Sequence, residues 1–243
     1  MNKNKKKIYN KFLKVILDIS ENFKNKESIK ILDWGCGKGE LINYLNNNNF
    51  DCYGVEISQF KMQQNIIKDK KNINEKIFLI NCDNKTNFES NYFDIILTNQ
   101  VIEHISDKDS FLFEINRILK NGGYSYNILP AKYRINEVHL KMPFVHWFPK
   151  NSLRKYLIYF FNLFKFNHWP ECLNLTFNGK VDYYYNYSIN KTFYLDVDKL
   201  FNKFEKFGFC VIDQPIKIKL LNNFFFRFLR NRFFSIEFLA IKK

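Results

Sequence analysis

The sequence of 243 residues predicts an α/β fold built on a mostly parallel sheet. Short apolar runs of strand length alternate with segments in which apolar residues recur at helical spacing. The first apolar run leads directly into a cluster of glycines, which is typical of a tight turn between a strand and a helix. Strands that alternate with helices join through right-handed crossovers, so we expect them to lie parallel in one sheet.

The elements follow one another regularly over the first 130 residues. Apolar residues at helical spacing, beginning with Ile8 and Phe12, predict a first helix over residues 8–24. Five strands are then predicted, over residues 29–33, 51–57, 77–82, 93–98 and 123–129. Helices are predicted between them, over residues 40–46, 59–70 and 109–119. Gly122 and Gly123 are typical of a helix end, and Pro130 ends the fifth strand.

The regular alternation stops at residue 131. Residues 131–195 are rich in aromatic side chains and irregular, with one predicted helix over 152–166. A helix over 196–207 and two strands over 209–215 and 235–241 complete the chain. Four parts are therefore predicted: a basic N-terminal helix over 1–26, a ligand-binding core over 27–130, an insertion over 131–195, and a C-terminal helix with two strands over 196–243.

A formal net charge of +14 is typical of nucleic-acid-binding proteins, but here the charge is unevenly distributed along the chain. Residues 1–14 contain six lysines and no acid, and residues 217–243 contain seven basic residues and one acid. These two ends thus carry +12, and the body between them is nearly neutral. A body without an evident basic groove argues against a nucleic-acid partner.

Cysteine content and hydropathy predict a cytoplasmic protein. The five cysteines are scattered and form no C-x-x-C pair, which favours reduced thiols in the cytosol. No stretch approaches 18 uncharged apolar residues, so no membrane-spanning helix is expected. Residues 220–234 place aromatic side chains near one helical face with arginines elsewhere. This segment could pack under the sheet, or it could lie peripherally on the inner face of an anionic membrane.

The most informative segment is the glycine turn after the first strand, residues 31–39. It places Asp33 two residues before Gly35, and Gly37 and Gly39 follow at alternate positions. Glycines here allow a ligand to approach the backbone closely. Glu56 stands at the end of the second strand, where a carboxylate can accept hydrogen bonds from both hydroxyls of a ribose. The pattern therefore predicts a nucleotide-like ligand at the carboxyl edge of the sheet.

This segment resembles motif I of the class I S-adenosylmethionine-dependent methyltransferases. The resemblance extends to Asp83 after the third strand, to Glu103-His104 after the fourth, and to the turn 117–123 into the fifth. It covers residues 27–130, and residues 196–243 in topology only. It implies a Rossmann-like, seven-stranded sheet with helices on both faces and a reversed final strand pair. The aromatic-rich insertion after strand five is large for the family.

The resemblance implies S-adenosyl-L-methionine as the cofactor and assigns residues to it. Asp33 and the first two glycines would face its amino acid end, Glu56 its ribose, and Ile57 its adenine ring. Asp83 would accept from the adenine amino group, and Asn99 would lie near the sulfonium. The cofactor-binding residues expected are Asp33, Gly35, Cys36, Gly37, Gly39, Glu56, Ile57, Asp83, Asn84 and Asn99.

Three histidines are candidates for a general base or for contact with the acceptor. His104 follows strand four, and His139 and His146 lie in the insertion directly after strand five. Each could instead be a hydrogen-bonded structural histidine. Ligand spacings typical of metal sites are lacking, so no metal is expected.

Residues 139–149 resemble a stretch found in methyltransferases of surface-polysaccharide gene clusters. The insertion is therefore interpreted as a lid that selects a small-molecule acceptor, although it could be a plain structural subdomain. The first hypothesis is methyl transfer to a hydroxyl of a sugar or of a glycan or lipid-linked precursor. The alternatives are a quinone-ring methyltransferase, an RNA methyltransferase, and a non-catalytic protein that keeps the fold.

Overall fold

A computed structural model describes residues 3–23, 28–57, 76–166, 169–213 and 224–243. In this part of the chain, seven strands form one sheet in the order β3-β2-β1-β4-β5-β7-β6. The strands are β1 (Lys30–Trp34), β2 (Asp51–Ile57), β3 (Ile77–Ile80), β4 (Phe93–Asn99), β5 (Leu119–Pro130), β6 (Phe209–Asp213) and β7 (Ser235–Lys242). Strands β1 to β5 are parallel, and β7 is antiparallel to both β5 and β6. The seven-stranded sheet and its reversed last strand are confirmed.

Helices lie where periodicity predicts them, with one addition. They are α1 (Lys3–Ser20), α2 (Glu40–Asn46), α3 (Lys108–Ile118), α4 (Ser152–Leu163), α5 (Phe177–Asn190), α6 (Val197–Lys206) and α7 (Phe224–Phe233). The ranges of α2 and β2 are those predicted from sequence. The helix predicted over residues 59–70 lies outside the described residues.

Helices cover both faces of the sheet because successive side chains of a strand point to opposite sides. In β1, Ile31 packs with Phe12 of α1 and Leu41 of α2. The next residue, Leu32, belongs to the opposite core with Phe111 of α3 and Leu200 of α6. A strand buried on both faces reads as a continuous apolar run, which is how β1 appears in the sequence.

Trp34 lies between Asp33 and Gly35, at the end of β1. Its side chain is buried, and its ring packs edge-on against Phe111 at a centroid distance of 5.2 Å. The indole therefore fills the space between the end of β1 and α3. An aromatic pair of this geometry contributes about 0.5–1.5 kcal/mol beyond the area it buries.

The insertion forms a small core of its own from buried residues of its loops and helices: Leu140, Met142, Val145, Ile158, Cys172, Val181 and Tyr184. It contains two helices, so the prediction of one was wrong. Helix α5 begins at a cap in which the Thr176 hydroxyl accepts from the backbone N–H of Gly179. Its buried face is narrow, with Val181, Tyr184 and Ser188. Tyrosines that are exposed or half-buried lie beside that face and obscure the helical period in the sequence.

The prediction that β5 begins at Gly123 was also wrong. Helix α3 ends at Ile118, and β5 starts at once with Leu119, opposite Phe93 of β4. The register shifts between Phe93 and Ile95, which absorbs the extra residues of the glycine turn. The Lys120 ammonium binds the Asp94 carboxylate at 2.8 Å and helps to hold this irregular strand start.

Helix α7 covers the described end of the segment predicted as a helix over 220–234. The Arg230 guanidinium donates to the Asp213 carboxylate at 2.8 Å, and Arg232 donates to Asp198 at 2.9 Å. Both arginines thus pair with acids of the protein itself, which favours the packing interpretation of this segment. No helix within the described ranges combines the length and the apolar character needed to cross a membrane.

Candidate active site

The glycine turn after β1 folds back onto β2. The backbone N–H groups of Gly35 and Cys36 both donate to the carbonyl of Val55, at 2.8 and 3.1 Å. Gly35 has a φ of 77° and Gly37 a φ of 54°, a left-handed conformation that favours glycine. A Cβ at Gly35 would lie 2.4 Å from Val101 Cγ2, whereas one at Gly37 would meet nothing within 4 Å. Gly35 therefore permits close packing, and Gly37 leaves open space beside the turn.

Glu56 joins the turn to the end of β2. One carboxylate oxygen accepts from the Gly37 N–H at 2.7 Å, and the other accepts from the Ile57 N–H at 2.9 Å. Each oxygen keeps a lone pair for a further donor. Glu56 is thus fixed beside the glycine turn with acceptor capacity left for a ligand.

A cavity of about 200 Å³ opens at the carboxyl ends of β1, β2 and β4. Five residues predicted from sequence line it: Gly35, Gly37, Glu56, Ile57 and His104. Its other walls are apolar or amide side chains: Trp34, Val55, Ile80, Gln100, Val101 and Ile105. An open α/β sheet binds its ligands at this edge, so the position agrees with a cofactor site.

Asp33 stands at the base of the same turn, and its carboxyl is buried. Burial and, to a smaller extent, the nearby Glu56 carboxylate together raise its pKa to about 7. A buried carboxyl of this kind gains most from a cationic partner, because opposite charges favour ionisation. The pair of Asp33 and Glu56 around an open glycine turn therefore fits the amino and ribose groups of S-adenosylmethionine.

Six of the predicted cofactor residues do not line this cavity within the described part of the chain: Asp33, Cys36, Gly39, Asp83, Asn84 and Asn99. Cys36 is buried against Gly54, and Gly39 starts α2 in a left-handed conformation. Asn84 is buried and donates to the Ser110 hydroxyl, so it holds α3 rather than a ligand. Asp83 is exposed and accepts from the Lys85 N–H.

Two of the three candidate histidines meet, although they are far apart in sequence. His104 lies in a short 3-10 turn after β4, and its ring centroid lies 4.6 Å from that of His139. Burial lowers the pKa of His104, and it lowers the pKa of His139 to about 4. Both rings are therefore neutral at physiological pH, as a proton acceptor or a metal ligand must be.

His146 lies apart from this pair. Its ring centroid is 5.1 Å from that of Tyr194, and it lines a second cavity of about 610 Å³. Burial lowers its pKa to about 4, with the charges of Arg154 and Arg134 acting in the same direction. The three histidines predicted together thus divide between two places.

The second cavity has a positive lining. Its cationic side chains come from three elements and from the insertion loops: Lys108, Lys132, Lys150, Arg154 and Lys203. Lys108 donates to the carbonyls of Ile105 and Phe193, and Arg154 donates to those of Phe148 and Ser188. Two acids, Asp107 and Asp109, also line the cavity, and Asp109 pairs with Lys203. The carbonyls bound to Lys108 and Arg154 are neutral, so the lining keeps a net positive charge that favours an anionic ligand.

Sequence reasoning missed the role of Glu137. Its buried carboxylate accepts from the backbone N–H groups of His139 and Leu140, at 2.8 and 2.5 Å, and from the Tyr194 hydroxyl. These bonds fix the turn that carries His139. The sequence does show an acid two residues before a histidine, but only the fold shows that the Glu137 carboxylate binds the backbone of the turn.

A family profile described as a methyltransferase domain matches residues 5–177. The chain belongs to this methyltransferase family. It has the Rossmann-like fold of the class I S-adenosylmethionine-dependent methyltransferases, with the reversed strand β7 between β5 and β6.

Curated relatives resemble the chain over part of its length. An uncharacterized methyltransferase of Schizosaccharomyces pombe is 34% identical over 110 residues, covering 41% of this chain and 39% of its own length. A ubiquinone biosynthesis O-methyltransferase of Pelagibacter ubique is 29% identical over 108 residues, covering 44% and 45%. The chain thus spans less than half the length of these relatives.

Solved structures share the fold of the chain at low sequence identity. An S-adenosylmethionine-dependent methyltransferase from Mesorhizobium loti aligns over 94% of this chain and 98% of its own, with 12% identity and a TM-score of 0.52. A phosphoethanolamine N-methyltransferase of Haemonchus contortus, in complex with S-adenosyl-L-methionine, aligns over 93% and 51%, with 15% identity and a TM-score of 0.51. These likenesses concern the fold alone.

Proposed function

We propose that this chain transfers the methyl group of S-adenosylmethionine to an oxygen atom of a small-molecule acceptor. The proposal rests on one observation: the glycine turn and the histidine pair lie next to each other at the carboxyl edge of the sheet. The glycine turn and Glu56 line the cavity together with His104, and the ring of His104 contacts that of His139 from the insertion. Donor and acceptor sites are thereby adjacent.

The cofactor supplies a methyl group already activated on a sulfonium. The residues of the chain would bind and orient it: Glu56 and Ile57 line the cavity and would take the ribose hydroxyls and the adenine, and the buried Asp33 at the base of the glycine turn would take the amino group. The main contribution of the protein is alignment and exclusion of water, which lowers a barrier by up to roughly 7–11 kcal/mol in well-oriented systems.

His104 is our candidate for accepting the proton of an acceptor hydroxyl. Its Nδ1 lies 2.6 Å from the carbonyl oxygen of Lys191, which can only accept, so the proton is on Nδ1 and Nε2 is free. His104 also lines the cofactor cavity, which brings a base to the edge of the site. A positioned base contributes about 10²–10⁴-fold to the rate.

We infer that the acceptor is a sugar hydroxyl, in a free glycan or in a lipid-linked precursor. The cationic cavity around Lys132, Lys150 and Arg154 supports this, because lipid-linked sugars carry phosphate. Such an acceptor would place the enzyme in the cytoplasm, where the basic helix α1 would favour the inner face of an anionic membrane.

A quinone-type acceptor is a second candidate, favoured by the similarity to the ubiquinone biosynthesis O-methyltransferase of Pelagibacter ubique. A phenol is also an oxygen acceptor, so the same histidines would serve it. The near-neutral body of the protein makes an RNA acceptor the weaker alternative. A non-catalytic binding protein would keep the cofactor site and transfer nothing.

The test has two stages. Calorimetric titration with S-adenosylmethionine is expected to show one site, and Asp33→Asn and Glu56→Gln should weaken it. Formation of S-adenosylhomocysteine is then followed with phosphorylated sugars, lipid-linked sugars and quinols as acceptors. Absence of cofactor binding to the folded protein would exclude the proposed activity. Binding without turnover on any acceptor, together with unchanged glycans and lipids in cells lacking the gene, would support the non-catalytic alternative.

A further inference from the structure

Three potential metal ligands converge beside the cofactor cavity. Glu103 and His104 end the turn after β4, and His139 comes from the insertion. One ligand atom from each lies within 4.8 Å of the other two. Ligands bound to one ion at about 2.0–2.2 Å lie about 3–4 Å apart, so small rotations of these side chains would bring all three onto an ion.

Buried polar atoms in this cluster have no hydrogen-bond partner among the described residues. They are both carboxylate oxygens of Glu103 and Nε2 of His139. Glu103 is fully buried. The nearby Lys108 ammonium donates to the carbonyls of Ile105 and Phe193 instead, at 2.8 and 2.7 Å. Buried polar groups are normally satisfied, so unpartnered atoms that face one another indicate a missing ligand.

The orientation of His104 suits metal binding. Its Nδ1–H donates to the Lys191 carbonyl at 2.6 Å, which leaves the lone pair of Nε2 free. Histidines that bind metals almost always donate their other N–H to a carbonyl or a carboxylate in this way. The Lys191 carbonyl therefore fixes both the tautomer and the direction of the ring.

His139 is held from its backbone. Glu137 accepts from its N–H, and the Trp169 indole donates to its carbonyl at 3.1 Å. The turn around it is closed by the Glu137 N–H bonding to the Met142 carbonyl and by a β-bridge between Asn136 and Pro143. A ligand on so constrained a turn is preorganised rather than mobile.

We propose that Glu103, His104 and His139 form a binding site for a divalent first-row transition-metal ion. Two imidazoles and one carboxylate suit zinc, iron, cobalt or manganese, whereas magnesium and calcium prefer oxygen ligands throughout. A set of three protein ligands leaves coordination positions open. The sequence predicts no metal, since its ligands lie on two elements separated by the whole of α3 and β5.

The open positions give the ion a role in acceptor binding, an extension that rests on the proposed methyl transfer. His104 belongs both to the cluster and to the wall of the cofactor cavity, so the ion borders the donor. It would select acceptors that offer oxygen donors, such as vicinal hydroxyls. In the metal-loaded enzyme, His104 would be a ligand and not the base, and a hydroxyl of the acceptor bound at an open position would lose its proton to solvent.

Cobalt titration tests the site directly. The full-length protein is treated with a chelator, and Co²⁺ is added while its visible absorption is followed. One saturable site with imidazole-type bands is expected. Glu103→Gln and His139→Ala should each weaken the Co²⁺ affinity by about 100-fold or more, and Glu137→Gln by about 10-fold, as a residue that positions a ligand. His146→Ala, a buried histidine outside the cluster, is the matched control and should keep wild-type affinity.

Cofactor binding by each variant is measured alongside. The metal site would be overturned by any of three results. The folded wild type does not bind cobalt, both ligand variants still bind it with wild-type affinity, or His146→Ala loses as much affinity as the ligand variants. Intact binding of S-adenosylmethionine in those samples would leave the proposed methyl transfer standing. Loss of cofactor binding by the wild type with cobalt binding intact would overturn methyl transfer and leave the metal site.

Discussion

Asp33 shows how one buried carboxyl connects binding and stability. Its pKa is raised from 3.8 to about 7, mainly by burial and secondly by Glu56. The folded protein therefore binds a proton at Asp33 over a range where the unfolded chain has lost it. The stability linked to this group is present below about pH 4 and decreases as the pH rises towards 7. The unliganded protein thus carries a cost at Asp33 that a cationic ligand would remove.

We expect the affinity for S-adenosylmethionine to increase with pH up to about 7 and then to level off, since the ammonium of the cofactor pairs with the ionised form of Asp33. Below its pKa the dissociation constant should change about tenfold per pH unit. Calorimetric titration between mildly acidic and neutral pH measures this dissociation constant. Asp33→Asn should bind weakly without this dependence and should be more stable than the wild type above pH 7; an unchanged pH profile in the variant would contradict the assignment.

Gly35 and Gly37 make a matched pair because both have positive φ but differ in their surroundings. Alanine at either position is expected to lower the free energy of unfolding by about 1–2 kcal/mol, because the left-handed conformation is unfavourable for a residue with a Cβ. Gly35→Ala should lower the free energy of unfolding more than Gly37→Ala does, because the added Cβ at position 35 would lie 2.4 Å from the branched Val101 side chain. Denaturant unfolding compares the two. Equal free energies of unfolding would show that Val101 moves away freely.

At the scale of single elements, charged side chains attach the last helix to the sheet. Arg230 of α7 and the amide of Asn231 both donate to Asp213 at the end of β6. Arg232 reaches Asp198 of α6. Helix α7 is thus linked to two neighbours through carboxylates, and its arginines are engaged within the protein.

Arg230→Ala is expected to lower the free energy of unfolding by about 1.5–3 kcal/mol, the range for hydrogen bonds to charged groups. Lys199→Ala, which removes an exposed cation from α6, is the control and should change stability by less than about 0.5 kcal/mol. Flotation with anionic liposomes is measured on the same proteins. A loss of flotation in Arg230→Ala with unchanged stability would instead favour the membrane interpretation of α7.

At the scale of the whole molecule, the sheet and the insertion have separate apolar cores, and each carries a different part of the proposed site. The sheet packs on both faces against helices and carries the residues proposed to bind the cofactor. The insertion has a separate apolar core around Ile158, Val181 and Tyr184, and it carries His139 and most of the cationic cavity. Damage to the second core should therefore affect the acceptor side more than the donor side.

Ile158→Ala tests this division. Ile158 is fully buried in the insertion core, and losing its side chain is expected to cost about 2–5 kcal/mol locally. The affinity for S-adenosylmethionine should stay within about twofold of the wild type, while turnover on the acceptor falls. Phe160→Ala, on the exposed side of the same helix, should change neither quantity. An equal loss of cofactor affinity in Ile158→Ala would mean that the two cores act as one.

Local patterns account for the parts that the sequence predicted well. Strand and helix periods are properties of a few neighbouring residues, so α2 and β2 have their predicted ranges. The start of β5 and the helix α5 were predicted wrongly because pairing with β4 and packing on α4 decide them. Such contacts join residues far apart in the chain, and no local period records them.

The sequence by itself determined the alternation of strands and helices, the glycine turn with Asp33 and Glu56, and, through family resemblance, the cofactor. Tertiary structure decided which predicted residues share a site. It brought His139 to His104 and Glu103, moved His146 to the cationic cavity, and turned Asn84 towards α3. The physical reason is that a turn's geometry depends on adjacent residues, whereas a site between two elements depends on how the whole sheet and its insertion pack.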